Sequence, residues 1–298
     1  MSQPRLKDYL LLHLCIIFWG FTSVLGVLSS LQAPYLVVYR TGLSFITLYA
    51  ILYFSRGEKS FPIKSIGLIA LAGFLTAFHW TTFFASAQLS NVSTCLAGMS
   101  TTALWTSLLE PIMTKKKFSI TELILALVVS LGLVLIYRSD FSMAYGLSIS
   151  IISAIACSIF SILNRNLVRH HSPLLITTWE MGFALLGSLI ALPVLFQTQS
   201  IPHWTIPMPT AGDWLNILFL AWVCTVFAYT MSVELMKKFT AFAMNLTVNL
   251  EPVYGIFIGI LIFGQKEQMQ PMFYVGLLLI LGGVFAFPLI EKFAQKKT

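Results

Sequence analysis

Residues Thr240–Glu267 read TAFAMNLTVNLEPVYGIFIGILIFGQKE, apolar and long enough to cross a bilayer, yet with Asn245, Thr247, Asn249 and a Glu251-Pro252 pair near the middle. A carboxyl group at bilayer depth costs roughly 2.5–3.5 kcal/mol on the gentler insertion scale, so Glu251 is expected to face protein or a water-filled cavity. Pro252 removes one helical hydrogen bond and disturbs another, which predicts a bend there and a freed carbonyl near Val248. Moved back by 150 residues, the stretch falls without a gap on Ser90–Lys117, SNVSTCLAGMSTTALWTSLLEPIMTKKK. Each segment follows a short polar turn, passes through a Ser/Thr/Asn-rich half, becomes apolar and ends in a basic cluster or a Gly-Gln-Lys-Glu turn. Residue identity between them is low; the shared feature is the order of composition.

Of the 298 residues, 57% are hydrophobic and 10% charged, and the mean hydropathy is +0.86, far outside the range of soluble domains. Ten apolar blocks of roughly 17–24 residues, each near bilayer-spanning length, take up most of the chain. The expected fold is an all-α membrane protein of ten transmembrane helices around a central cavity, the fourth over Val92–Thr114, the ninth over Ala241–Phe263 and the tenth over Pro271–Pro288. The net charge of +7 sits in short loops between blocks. That is the topogenic pattern, so the lipid bilayer is an expected partner and nucleic acid is not. Fifteen Lys and Arg fall on one alternate set of connections and termini, two (Arg138 and Lys266) on the other, and Arg40 lies inside the second block. By the positive-inside rule both termini are expected in the cytoplasm. Cys15, Cys95, Cys157 and Cys224 lie in four different blocks without metal spacing and read as small buried hydrophobes. The run from Tyr9 to Leu28 after Arg5 and Lys7 imitates a signal peptide but is too long, and reads as an uncleaved first helix.

If helices one to five (residues 1–140) match helices six to ten (141–298), the odd number per half inserts the second half upside down, giving an inverted repeat. Further matches support this. Phe18-Trp19-Gly20-Phe21-Thr22-Ser23 resembles Ala156-Cys157-Ser158-Ile159-Phe160-Ser161, and Pro34 opens the second helix as Pro173 opens the seventh. Ser130, Gly132, Gly276, Gly282 and Gly283 allow close approach in helices five and ten. The largest connection, Gln197–Gly212, holds Pro202, Pro207 and Pro209 with His203 and Trp204 and reads as a stiff surface segment.

Trp19-Gly20 in helix one, Arg40 in helix two, the Ser90-Asn91-Val92-Ser93 turn, the Glu110-Pro111 and Lys115–Lys117 end of helix four, and Leu250-Glu251-Pro252 with Gly264-Gln265-Lys266-Glu267 carry a family likeness. Over about Tyr9–Leu289 the chain resembles the drug/metabolite transporter superfamily, in its ten-helix EamA type with two EamA repeats. The resemblance implies a secondary transporter of the cell inner membrane, among relatives that export amino acids and other metabolites. It also implies a cavity lined by helices one to four and six to nine, with five and ten peripheral. One departure stands out: Thr101-Thr102 occupy the place where the repeat would put an acidic-proline pair, so Glu251 has no symmetric twin.

Five ionisable groups lie inside spans: Arg40, His79, Glu110, Glu180 and Glu251. Glu251, near the midplane, is a candidate for the substrate or proton path, against structural pairing. His79, beside Trp80, is a candidate proton shuttle or substrate selector, against a neutral hydrogen-bonded histidine. Arg40 lies just below the outer surface, where it either snorkels outward or binds a carboxylate. Glu110 reads as an interfacial ion pair with Lys115–Lys117, and Glu180 beside Trp179 stays open. Trp19, Phe21, Trp80, Phe83, Phe84, Trp105, Trp179 and Trp222 offer aromatic surface for a cavity floor or for plain packing, and Asn245 and Asn249 add polar groups on helix nine. No G-x-S-x-G elbow, H-E-x-x-H helix or Walker-A loop occurs, so neither an enzyme nor an ATP-driven pump has support. No cofactor or metal is expected. What remains is gradient-driven transport of a small-molecule substrate. Phosphorylated-sugar or nucleotide-sugar exchange calls for several buried cations, and only Arg40 is at hand; a non-transporting membrane enzyme or sensor is the reading from another class. Monomer and homodimer stay open.

Overall fold

The computed structural model describes residues 4–136, 144–202, 205–251, 253–254 and 271–295. In chain order the spans are α1 (Leu6–Leu28), α2 (Ala33–Phe54), α3 (Ile63–Leu89), α4 in two pieces (Val92–Met99 and Thr102–Thr114), α5 (Ile120–Ile136), α6 (Ala144–Leu167), α7 (Pro173–Gln197), α8 (Ala211–Leu235), α9, which starts with Ala241–Val248, and α10 (Pro271–Gln295). The Pro252 bend, the later part of the ninth span, the Gly264–Glu267 turn, Arg138, His203 and Trp204 lie outside the described residues.

The side chains suit a bilayer. Ile46, Leu186 and Leu278 are exposed, while Arg40, Thr76, Asn164 and Glu180 are buried. Lipid is as apolar as leucine, so helices assemble through small residues and polar contacts instead. Between α5 and α10 a Cβ on Gly132 would lie 2.8 Å from the Gly276 carbonyl oxygen, and one on Gly283 would lie 2.4 Å from Val129. Gly282, expected in this contact, has nothing within 4 Å and belongs to a different face.

Helix breaks follow local hydrogen bonding. In α4 the break at Ser100-Thr101 has no proline. Ser100, Thr101 and Thr102 donate their hydroxyls to the carbonyls of Ala97 (2.6 Å), Gly98 (2.7 Å) and Met99 (2.6 Å), an alternative to the helical ladder. Pro111 lies inside the second piece without ending it. In α9 the turn falls at Asn249-Leu250, ahead of Pro252. Asn91 caps α4 by accepting from Thr94 N (2.7 Å), and Thr240 caps α9 by accepting from Ala243 N (3.0 Å). Caps and breaks therefore agree at a spacing of 149 residues, Asn91 to Thr240, and not 150; Glu251 is matched with Thr102.

The remaining helices repeat as well. Buried, half-buried and exposed positions of 33–50 recur one for one over 173–190, which sets Arg40 against Glu180. Each buried residue of α1 falls on a buried residue of α6, from Asp8 and Gly146 to Gly26 and Asn164. Thr76, Trp80, Phe83, Phe84 and Ala87 of α3 correspond to Thr225, Tyr229, Ser232, Val233 and Met236, all buried. Upstream, Ile69 and Ala72 match Ile217 and Leu220 at a spacing one residue shorter. The π-helical turn Phe219–Phe227 takes up the extra residue. Helix packing obeys the same exchange: α3 packs on α6 and α7 as α8 packs on α1 and α2, while α2 with α7 and α5 with α10 are their own images. Five crossings per repeat set the repeats in opposite senses.

Near the membrane edges Lys116 Nζ lies 2.8 Å from Glu122 and 3.7 Å from Glu110, close to the expected interfacial pair. Burial works to lower the Lys116 pKa, but the Glu122 hydrogen bond and the Glu110 charge outweigh it and hold the ammonium above its ordinary value. In the long connection Ile201 is buried and Pro207 O accepts from Tyr39 OH (2.9 Å), so the segment is pinned to α2.

Candidate functional site

A cavity of about 90 Å³ lies between the repeats. Five pairs of equivalent residues line it: Trp19 and Cys157, Thr22 and Phe160, Trp80 and Tyr229, Phe83 and Ser232, Met99 and Val248. It therefore sits on the pseudo-twofold axis, where Trp80 and Tyr229 meet edge to face with ring centroids 6.0 Å apart. Charge and polarity break the symmetry. Arg40, His79, Asn245 and Glu251 line the cavity, and their counterparts Glu180, Ala228, Leu96 and Thr102 do not.

Shape breaks it too. Met236 and Met244, which flank the α8–α9 connection, line the cavity; Ala87 and Cys95, their counterparts at the α3–α4 connection, do not. The cavity thus reaches toward the Lys237-Lys238 end. Behind this lies a packing difference. α4 is seated on α6: a Cβ on Gly98 would lie 2.5 Å from Ser150 Cβ, Ser150 Oγ donates to Cys95 O (2.5 Å) and Ser158 Oγ to Thr102 O (2.9 Å). Over the described residues of α9, its image pairing with α1 is looser. Among the described residues its polar contacts are His13 Nδ1 with Tyr254 OH (2.7 Å) and a 3.4 Å approach of Thr22 Oγ1 to Glu251.

Arg40 does not snorkel outward. It is 3% exposed, with its guanidinium carbon 3.6 Å from the Trp80 ring centroid and Nε donating to Thr225 Oγ1 (3.0 Å). It makes no ion pair among the described residues. The π-helical turn of α8 places Thr225 there, its own hydroxyl donating to Leu220 O five residues back. Glu251 is 9% exposed and faces the same cavity. Thr22 has one hydroxyl proton and gives it to Trp19 O at 2.7 Å, so its 3.4 Å contact leaves the carboxyl without a committed donor. His79 Nδ1 lies 2.8 Å from Ser153 Oγ, whose proton goes to His79 O (2.8 Å). The imidazole therefore donates from Nδ1 and keeps Nε2 as its acceptor. Asn245 is held by Thr106 (2.8 Å) and Ser161 (3.3 Å). Trp19 gives its indole N–H to Cys224 O (3.0 Å) and presents its ring to the cavity.

Three expected lining residues lie elsewhere. Trp105 binds Thr101 Oγ1 at the α4 break (3.1 Å). Asn249 is buried at the α9 turn, its Nδ2 without a partner among the described residues. Glu180 sits behind the wall, fully buried, accepting from Thr76 (2.7 Å), Asn164 (3.1 Å) and Tyr229 (2.5 Å). Helix α7 thus contributes nothing to the lining, against expectation, although its image α2 contributes Arg40. Of the other expected aromatics, Trp222 is exposed and Trp179 packs against Phe45 and Tyr49. Phe160 falls in the motif matched to Phe18–Ser23, whereas Thr76, Asn164, Thr225 and Tyr229 carry no mark in the sequence. The register of buried positions between repeats is the signal that marks them.

The EamA-like transporter family matches residues 6–138 and again 144–287. A relative from Archaeoglobus fulgidus named "Uncharacterized transporter" is 20% identical over 281 residues, 92% of this chain and 97% of its own length. Uncharacterized transporter YyaM of Bacillus subtilis is 24% identical over 296 residues, 92% of each chain. A solved crystal structure shares the fold at 14% identity with a TM-score of 0.73, covering 96% of this chain and 98% of that one. With a match in each half and a cavity lined by equivalent residues of the two, the chain belongs to the EamA-like transporter family, as a membrane protein of two repeats.

Proposed function

We propose that the chain is a secondary transporter that moves small organic metabolites of the amino-acid kind out of the cell across its inner membrane, with both termini in the cytoplasm, by alternating access of residues 1–140 against 141–298. The observation that carries this reading is an axial cavity holding Arg40 and Glu251 with no ion pair between them among the described residues. A planar guanidinium suits a carboxylate, a carboxyl without a committed donor suits an ammonium, and the rings of Trp19, Trp80, Phe160 and Tyr229 suit an apolar side chain. The cavity's reach toward the Lys237-Lys238 end supports loading from the cytoplasm.

Proton coupling follows from Glu251. One carboxyl cannot hold a proton and pair with a substrate ammonium at once, so the two compete for it, which is the elementary requirement of exchange. The test is reconstitution in liposomes. The parent should show saturable counterflow and respond to an imposed pH gradient; Glu251→Gln should lose the pH response. A variant as fast and as pH-dependent as the parent sinks the coupling role, and absence of counterflow in the parent favours a membrane enzyme or sensor. Phosphorylated sugars fit poorly, because Arg40 is the single Lys or Arg among the described lining residues.

A further inference from the structure

Arg40 and Glu180 occupy the same position in the two repeats, and their partners are exchanged in the same manner. Arg40 reaches Thr225 of the other repeat (3.0 Å) and stacks on Trp80 of its own. Glu180 accepts from Thr76 of the other repeat (2.7 Å) and from Tyr229 of its own (2.5 Å). Thr225 corresponds to Thr76 and Tyr229 to Trp80, so the clusters are images of each other. One carries a cation and the other a carboxylate. Only the cation lines the cavity.

An inverted-repeat protein reaches its opposite-facing state when each repeat takes the arrangement the other now holds. Here that exchange keeps the five axial pairs in place, because each pair is its own image. The rest of the lining changes. Arg40 and Glu251 withdraw to the places of Glu180 and Thr102, while Glu180, Thr102 and Ser23 come to the cavity. Ser23 supports this independently: it is fully buried, and its hydroxyl has no hydrogen-bond partner among the described residues. Its counterpart Ser161 lines the cavity and donates to Asn245 (3.3 Å). An unpartnered buried hydroxyl is unfavourable where it stands and is relieved by a second arrangement that gives it a partner or water.

We propose that Arg40 and Glu180 form a charge switch on the transport path: a small organic carboxylate is held by Arg40 in the conformation described here and released against Glu180 in the opposite-facing one. This rests on the transporter reading above and adds which conformation binds and which discharges. Thr76, Asn164 and Tyr229 surround Glu180, and no cation pairs with it among the described residues, so its charge is not cancelled in advance.

The test needs no knowledge of the substrate. In protein whose four native cysteines are replaced, Ser161→Cys and Ser23→Cys are each treated in vesicles of known orientation with an anionic and a cationic membrane-impermeant methanethiosulfonate. The cysteines should react from opposite faces. Ser161→Cys, in a Glu251→Gln background that leaves Arg40 as the charged group among the described lining residues, should favour the anionic reagent and Ser23→Cys the cationic one, each by at least about tenfold, as a nearby unit charge in a poorly screened site requires. Arg40→Gln should abolish the first preference and Glu180→Gln the second. Reaction from opposite faces with one shared preference, or preferences that survive both charge variants, overturns the switch and leaves alternating access standing. Reaction from a single face, or from neither, overturns the exchange and the transporter reading together. The sign of the preference in the two cysteine variants decides the matter even where a charge variant does not fold.

Discussion

Glu180 gathers three donors from three helices, Thr76 of α3, Asn164 of α6 and Tyr229 of α8, within a fully buried site. Each hydrogen bond to such a group contributes about 1.5–3 kcal/mol, and removing one donor leaves the acceptor buried and less satisfied. Thr76→Val and Tyr229→Phe keep size and ring while deleting one donor each. Both should lower the unfolding free energy by about that amount, and the double variant should depart from the sum because both act on one carboxyl. Thermal unfolding of the purified single and double variants gives the coupling directly; strictly additive losses would mean that the shared acceptor is not Glu180. As single residues, Arg40 and Glu180 are legible in the sequence because an ion inside an apolar block is conspicuous. Their equivalence is not. A cation and a carboxylate share no identity, and only the recurrence of buried positions across α2 and α7 aligns them.

The broken helices show what composition conveys about an element. Proline marks α9 as irregular within a few residues of its observed turn at Asn249-Leu250, but the same rule misses α4, whose break comes from three successive hydroxyls. A Ser-Thr-Thr run is ambiguous by itself: its hydroxyls bond back to the helix in many unbroken spans, and the outcome depends on what the freed carbonyls find. Here Thr102 O finds Ser158 Oγ of α6 (2.9 Å). Replacing Ser100, Thr101 and Thr102 together by alanine removes the competing hydroxyl donors and substitutes the best helix former, about 0.5 kcal/mol at each of three positions, which exceeds the roughly 1 kcal/mol of the Trp105 Nε1 bond to Thr101 Oγ1 lost with them. The triple variant is expected to melt at a higher temperature than the parent and to transport several times more slowly, since hinge motion concentrates at such interruptions. Thermal unfolding and liposome counterflow measure the two effects separately. A stabilised variant with undiminished transport would show that the α4 break is not a hinge.

At the scale of the molecule, apolar blocks and alternating loop charge were enough to read ten crossings in two halves, because both signals are sums over many residues. The facing of each helix was not readable, since a leucine against lipid and a leucine against another helix are chemically alike. That facing is where the two halves differ. Gly98 lets α4 seat on α6, with a would-be Cβ only 2.5 Å from Ser150 Cβ and 3.1 Å from the Ile151 backbone nitrogen. Its counterpart in α9 is the bulkier Thr247, so under the exchange proposed above the closure made by α4 and α6 would be harder for α9 and α1 to reproduce, which would favour the described conformation. Gly98→Val should remove that advantage. Overpacking costs about 1–3 kcal/mol and falls only on the conformation in which α4 and α6 touch, which moves the balance of states by roughly 5- to 150-fold. In the cysteine variants, labelling at Ser23→Cys should therefore rise while labelling at Ser161→Cys falls. If both fall together with the melting temperature, Gly98 holds the fold and does not choose between its two faces.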